Sequence, residues 1–287
     1  MSIAAILLNY NSMADCRKCV GFLKKQTGVD LDIIIVDNAS QPADAQAVEA
    51  LCRAEGLTFI ANSRNCGYNA GNNAGLRLAA ERGYRYALIA NPDMEFPDPT
   101  YVARLAAELA ANSQAVAVGS DIVTPEGIHQ NPMGADGPWT SQFGWVKELL
   151  RRRKPQGEVY DFIDNHRESH VCAKLSGCAL LVDLRHLQAL GFFDEYPLLY
   201  CEEAIFAKQA EQAGLQMRYI AEVQAIHRHI PSVKGDPRPR FRQWRRSRLY
   251  FIRRYAGYPW YGRLLASLSW STYLGLLILA TTIRRKL

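Results

Sequence analysis

The stretch Tyr86-Ala87-Leu88-Ile89-Ala90-Asn91-Pro92-Asp93 restricts the fold more than any other in the chain. Five apolar or aromatic residues run directly into a polar corner that contains proline. A continuous apolar run has no face to leave in water, so it reads as a strand buried on both sides, the pattern of a parallel sheet. Proline has no N–H and cannot extend the ladder, so the strand ends there. Asp93 is then left at the carboxyl edge of the sheet, where open α/β folds bind their ligands. A carboxylate in that place suits a divalent cation held against a diphosphate. Asn-Pro-Asp is also an ordinary turn sequence, because all three residues favour turns.

Apolar runs at 3–8, 31–36, 57–60 and 115–123 alternate with helical segments at 12–26, 43–55, 68–82 and 99–111. The helix signals are an Asn11 or Ser12 cap, Gly56 after the second helix and Pro99 at the start of the fourth. Such alternation implies right-handed βαβ units, hence an α/β fold with a mostly parallel sheet flanked by helices. Three strand ends carry polar clusters: Asn9-Tyr10-Asn11, Asp37-Asn38 and Asn91-Pro92-Asp93. All three fall on one sheet edge, which points to a nucleotide site. Regularity lapses between about 124 and 170, a stretch with four prolines, two tryptophans and Arg151-Arg152-Arg153-Lys154. It reads as a long loop with a short helix near 143–152, and loops of this length are usually functional or mobile. Order resumes at 171–182, with helices at 183–190 and 202–213.

Between the third strand and third helix lies Arg64-Asn65-Cys66-Gly67-Tyr68-Asn69-Ala70-Gly71-Asn72-Asn73-Ala74-Gly75. Glycines four apart form one stripe on a helix and permit close backbone approach to a sheet or a ligand. Arg64 offers a forked set of donors to phosphate. The spacing is neither the dinucleotide fingerprint nor a P-loop. A helix with glycine at its packing seam is an equal reading of the stripe.

With 287 residues and 48% apolar content, the chain has enough core for one large α/β domain or two small ones, which excludes global disorder. Seven cysteines and no basic-then-apolar leader point to a reducing, cytoplasmic setting without a disulfide framework. No second pair completes a zinc site around Cys16 and Cys19, so these read as two helix positions. The net charge of +6 is unevenly placed: residues 234–287 hold 13 Lys and Arg against Asp236 alone. An acidic body with a basic tail points to an anionic surface as partner. Nucleic acid is not expected, because no recognition motif is present. Within the tail, 238–261 interleave arginine with aromatics, and 264–283 carry no charge. Twenty such residues are long enough to cross a bilayer. Their six Ser and Thr, and the arginine–aromatic mixture, favour a helix lying at the headgroup interface. A helix packed on the rest of the protein, or across an oligomer interface, is the other reading.

Taken together, these segments resemble glycosyltransferase family 2, whose inverting members have the GT-A fold. The matching pieces, in the family's order, are Asn9-Tyr10-Asn11, Val36-Asp37-Asn38-Ala39-Ser40, Asn65 through Gly75, Asn91-Pro92-Asp93, Gly191-Phe192-Phe193-Asp194-Glu195 and Tyr200-Cys201-Glu202-Glu203. The glycine–asparagine segment and Asn-Pro-Asp look most like the bacterial rhamnosyltransferase-like branch. The resemblance implies a GT-A domain over 1–233, with a nucleotide-binding half at 1–123 and an acceptor-binding half at 124–233. A helical membrane-associating extension at 234–287 would follow. It also implies the roles. Asp37 would accept from a pyrimidine ring, aided by Asn9 and Asn38. Arg64, Asn65, Gly71 and Asn72 would lie near base and phosphate, and Asn91 near a ribose hydroxyl. Asp93, with His227 or His229, would hold Mg2+ or Mn2+. Glu203 would be the catalytic base, and Asp194 would orient the acceptor or cap a turn. The implied donor is a dTDP- or UDP-linked sugar, with dTDP-rhamnose first. The implied acceptor is a lipid-linked or polysaccharide glycan, met at the inner face of the bacterial cell membrane. Ile205 and Gln209 stand where the family usually has an acid and an arginine. That departure leaves open a catalytically weak, nucleotide-binding partner subunit.

Overall fold

The computed structural model describes residues 1–146, 163–228 and 236–284. The first four strands are β1 (Ser2–Asn9), β2 (Asp30–Asp37), β3 (Thr58–Ala61) and β4 (Tyr86–Ala90). They are linked by α1 (Met13–Leu23), α2 (Pro42–Glu55) and α3 (Tyr68–Glu81). Every residue of β4 is buried, as an uninterrupted apolar run requires. Gly56 closes α2 at φ 67°, a left-handed conformation that glycine adopts at no steric cost. After β4 come β5 (Met94–Glu95), α4 (Tyr101–Ala111), β6 (Ala115–Val123), β7 (His170–Cys172) and β8 (Ala179–Asp183). The chain continues through α5 (Leu184–Ala189), α6 (Glu202–Gln212), β9 (Gln216–His227), α7 (Arg238–Arg254) and α8 (Trp260–Arg284). A single 3-10 turn covers Trp139–Phe143.

The strands form one sheet in the order β3-β2-β1-β4-β8-β6-β9-β5, with β7 on β9. β1 to β4 pair in parallel, as expected. β8 then enters antiparallel to both β4 and β6, so the sheet is mixed rather than mostly parallel. An antiparallel neighbour needs no right-handed crossover, so the rule that shapes the β1–β4 units places no demand on β8; most of the helix expected near 143–152 lies outside the described residues. β8 follows residue 123 in sequence, yet it separates β4 from β6. The stretches 1–123 and 124–233 therefore interleave in one sheet.

Each face of the sheet has its own apolar layer. Val20 and Leu23 of α1, Val48 and Leu51 of α2, and Val102 and Leu105 of α4 cover one face. Leu76 of α3, Leu184 and Leu187 of α5, and Phe206 of α6 cover the other. A third, smaller cluster joins Ala204 and Ile205 of α6 to Phe251, Ile252, Tyr255 and Ala266. Thus α7 and α8 are built onto the body and are not a detached tail. α8 is pinned along its packed face: Trp145 Nε1 donates to Ser269 Oγ at 2.8 Å, and Trp270 Nε1 donates to Gln142 Oε1 at 2.8 Å. Its other face exposes Trp260, Leu264, Leu268, Leu276, Leu279 and Ile283. Residues Trp260–Ile283 are long and apolar enough to cross a membrane, with mean hydropathy 1.6. All seven cysteines are free, and Cys16 and Cys19 are buried positions of α1.

Candidate active site

The strand order reverses at β1, with β2 on one side and β4 on the other. That reversal opens a crevice at the carboxyl ends of these strands. Chain reversals there leave backbone donors with no ladder partner, and short polar side chains take them up. Asn9 Nδ2 reaches Asp37 Oδ1 at 2.8 Å, Ser40 Oγ at 3.0 Å and Asp44 Oδ1 at 2.8 Å. Its Oδ1 accepts from Ser12 N at 3.2 Å. Asp37 Oδ2 accepts from Ser40 N at 3.1 Å. Asn38 Oδ1 accepts from Asn62 Nδ2 and Cys66 N, both at 3.1 Å, and its Nδ2 donates to Gly67 O at 3.1 Å. Asn9, Asp37 and Asn38 are 0%, 2% and 3% exposed, and these bonds fix their side chains at the base of the crevice. Asn72 is also fully buried and donates to Tyr68 O at 3.0 Å.

The glycine stripe is a packing seam. A Cβ on Gly71 would lie 2.5 Å from Leu8 Cδ1, and one on Gly75 would lie 2.6 Å from Ile6 Cγ2. At Gly67, φ is 89° and a Cβ would meet Leu198 O at 2.5 Å. Gly71 therefore lets α3 close on the sheet. Arg64 and Asn65 stand exposed above the crevice. Asn65 Oδ1 also accepts from Gly67 N at 2.9 Å, which shapes the loop.

Asp93 follows β4 as expected. Its Oδ1 lies 3.3 Å from His227 Nε2, because β5 pairs with the end of β9, Met94 opposite His227. His227 Nδ1 is 2.8 Å from Gln130 Oε1. With Nδ1–H donating to that oxygen, Nε2 and the Asp93 carboxylate converge on one point. Burial lowers the His227 pKa, but Cys178 and Asp93 outweigh it, and the imidazole is pushed up to about 10 with its Nε2 proton facing Asp93; a cation held there would take that proton's place. His229 lies outside the described residues. Asn91 N donates to Cys178 O at 2.8 Å, tying this corner to the loop before β8. Among the described residues no group of three or more His, Cys, Asp or Glu side chains could hold a metal alone. One carboxylate and one imidazole fit a Mg2+ or Mn2+ ion whose remaining ligands come from a diphosphate and water.

Glu203 lies in the first turn of α6, and its Oε1 is 3.5 Å from Gly177 N. It lines a small cavity with Tyr68, Asn69, Gly177, Glu202 and Phe206. Tyr68 OH donates to Gly177 O at 2.6 Å. Burial and the Glu203 carboxylate hold that phenol well above its ordinary pKa. Burial, with the neighbouring Glu203 charge, raises Glu202 to about 8. Residues 177 and 178 therefore bridge the two halves of the site, with Glu203 at Gly177 and the Asn91–His227 corner at Cys178. Neither Gln130 nor Gly177 was anticipated from sequence; both sit in irregular segments with no pattern to mark them.

Asp194 lies in the irregular segment before α6. Its Oδ1 accepts from Tyr196 N at 2.9 Å, which is the turn-capping alternative. Its Oδ2 accepts from Tyr250 OH at 2.6 Å and from Tyr255 OH. Both carboxylate oxygens are thus occupied by the chain itself. Ile205 is fully buried in the third apolar cluster, and Gln209 Nε2 donates to Phe192 O at 3.3 Å. The two positions that depart from the family pattern are thus filled by packing and a loop contact.

The architecture is the GT-A type of mixed α/β fold. Solved structures that share it include GalNAc-T7 with UDP, GalNAc and Mn2+, at TM-score 0.62 and 13% identity, covering 88% of this chain and 50% of that one. The mannosyltransferase PcManGT from Pyrobaculum calidifontis, in complex with GDP-Man and Mn2+, gives TM-score 0.59 and 15% identity, covering 98% and 73%. TarS from S. aureus gives 0.57 and 13%, covering 94% and 70%. The family model described as Glycosyl transferase family 2 matches residues 5–176, and the protein belongs to that family. Its curated relatives include the low-salt glycan biosynthesis hexosyltransferase Agl10 of Haloferax volcanii, 22% identical over 230 residues. That match covers 78% of this chain and 66% of the relative, and the chain spans half the length of GalNAc-T7.

Proposed function

We propose that this protein moves a sugar from a nucleoside-diphosphate donor to a glycan acceptor, with inversion at the anomeric carbon. The observation that carries this reading is the bridge at residues 177 and 178. Glu203 lies against Gly177 and the corner that leads to Asp93 and His227 is tied to Cys178, which supports a shared site. In this reading Glu203 takes the proton from the acceptor hydroxyl as that oxygen attacks. One displacement needs one base and no second nucleophile. Asp93 and His227 would hold Mg2+ or Mn2+, which when bound supplies positive charge against the departing diphosphate. Arg64 and Asn65, exposed at the crevice mouth, would contact the nucleotide, and Asn91 would meet a ribose hydroxyl. Mn2+ and nucleotide ligands in the structural relatives support this assignment of donor class. Our first donor is dTDP-rhamnose, from the likeness of the glycine–asparagine segment to the rhamnosyltransferase-like branch. UDP-hexose or UDP-N-acetylhexosamine is the alternative, and the hexosyltransferase relative is compatible with it.

The acceptor we assign is a lipid-linked or polysaccharide glycan, reached from the cytoplasmic face of the membrane. The apolar outer face of α8, together with the exposed arginines of α7, supports an in-plane attachment to an anionic surface. A spanning helix would drag α7 with it, because Arg245 donates to Ser271 Oγ at 3.3 Å and Arg238 to Thr282 Oγ1 at 3.4 Å. The second reading, a catalytically weak nucleotide-binding subunit, draws on buried Ile205 and on Gln209.

The test is Glu203→Gln, assayed with a panel of nucleotide-sugars and Mn2+. Donor binding, followed by thermal shift, should be retained while transfer falls by about a hundredfold or more, the scale of general-base loss. Equal transfer rates in the two proteins would remove Glu203 from the chemistry. A panel in which no nucleotide-sugar shifts the melting temperature would reject the donor assignment.

A further inference from the structure

The loop that leads into Glu203 is gripped from two sides. On one side stands α3: Asn69 Nδ2 donates to Asp194 O at 2.7 Å, Asn73 Nδ2 donates to Phe193 O at 2.9 Å, and Arg77 pairs with Glu195 at 2.6 Å. On the other stands α7, from the C-terminal extension. Tyr250 and Tyr255 both donate to Asp194 Oδ2, and the Tyr250 ring stacks on Tyr196 at 4.0 Å between centroids. Ser247, fully buried, donates to Leu199 O at 2.7 Å. Immediately afterwards Tyr200 and Cys201 take φ values of 75° and 66°. Two successive non-glycine residues in the left-handed region are strained, and persist only where their surroundings over-determine them. Beyond them, Ala204 and Ile205 directly follow Glu203 and pack on Phe251, Ile252 and Tyr255 of the same extension.

The geometry points to α7 as part of the catalytic apparatus rather than an attachment device alone. Tyr250, Tyr255 and Ser247 are positioning residues that act through the 194–201 loop to set the Glu203 carboxylate against Gly177. This inference rests on the reading of Glu203 as the base. The physical logic is that the base stands at the start of a helix entered through a strained turn. The conformation of that turn decides where the carboxylate points, and the tyrosine hydroxyls and the serine fix the turn from outside. A misplacement of about 1 Å at such a group costs on the order of a hundredfold in rate.

The experiment uses the full chain and the double variant Tyr250→Phe/Tyr255→Phe, which keeps both rings and deletes both hydroxyls. Ser247→Ala serves as an independent second variant. Each is followed by transfer kinetics, donor KM, binding to vesicles containing anionic lipid, and backbone hydrogen exchange. We expect kcat to fall by about tenfold or more, with donor KM within about twofold and vesicle binding unchanged. Exchange across 196–206 should rise, while the β1 to β4 strands keep their protection. Unchanged exchange and kcat in both variants would overturn the inference. So would a loss of protection throughout the sheet, which would mark these residues as general fold supports. If the parent protein transfers no sugar, or Glu203→Gln retains full rate, the transferase reading fails. The exchange result then still decides whether α7 positions this loop.

Discussion

Glu202 and Glu203 are chemically alike in sequence, and the fold separates them. Glu202 is 8% exposed, and its Oε1 has no hydrogen-bond partner. Burial first, and the Glu203 charge second, raise it from 4.5 to about 8. The folded protein therefore holds a proton there that the unfolded chain releases above pH 4.5. Between 4.5 and about 8 the native state binds more protons, so this residue's contribution to stability declines as pH rises through that window. Glu202→Gln should abolish that decline. Melting curves at pH 5 and pH 8 should show the variant gaining on the parent at pH 8, and a pH-independent difference would reject the buried-acid assignment. At the same scale, the strand-end polar residues were legible as a cluster but not in their orientation. Asn9, Asp37 and Asn38 turn inward because reversing backbone needs partners, a demand that only the three-dimensional path of the loops defines.

Among the elements, α8 shows how far pattern carries. Its charge-free length was plain in sequence, but which face packs and which is open was not. The packed face is set by Ser269, Trp270 and Gly262, where a Cβ would come 2.8 Å from Trp139 Cγ. That leaves Leu264, Leu268, Leu276 and Leu279 outward. Replacing these four leucines by serine should lower the affinity for anionic vesicles by more than about tenfold, since each leucine taken out of water contributes roughly 1.5–3 kcal/mol. Co-sedimentation measures it, and unchanged binding would move the membrane contact elsewhere. The helices among the first four strands fell close to their expected bounds, with α2 at Pro42–Glu55 and Gly56 as its stop. The two-residue β5 carried no periodic signal, yet its pairing with β9 brings His227 to Asp93.

For the molecule as a whole, the sheet is continuous. β8 pairs with β4 from Tyr86 opposite Asp183 to Ala90 opposite Ala179, and it also pairs with β6. A fragment covering 1–123 would expose the β4 edge and leave β6 without its neighbour. We expect it to show no cooperative thermal transition by circular dichroism, and a sharp transition would establish the first half as an independent unit. The same interleaving places Gly177, at the entry to β8, beside Asn91 at the exit of β4. The Glu203 contact and the corner that leads to Asp93 therefore meet at a strand junction.

Sequence alone determined the repeating strand–helix order, the polar ends on one sheet edge, the place of Asp93 and the uncharged helical tail. These are local: apolar runs, proline stops and glycine caps act over a few residues. Tertiary structure alone decided which polar side chains face the crevice, that His227 meets Asp93, and that α7 closes on the loop before Glu203. Those outcomes depend on strand neighbours far apart in the chain, and no local propensity encodes which strand a segment will lie beside.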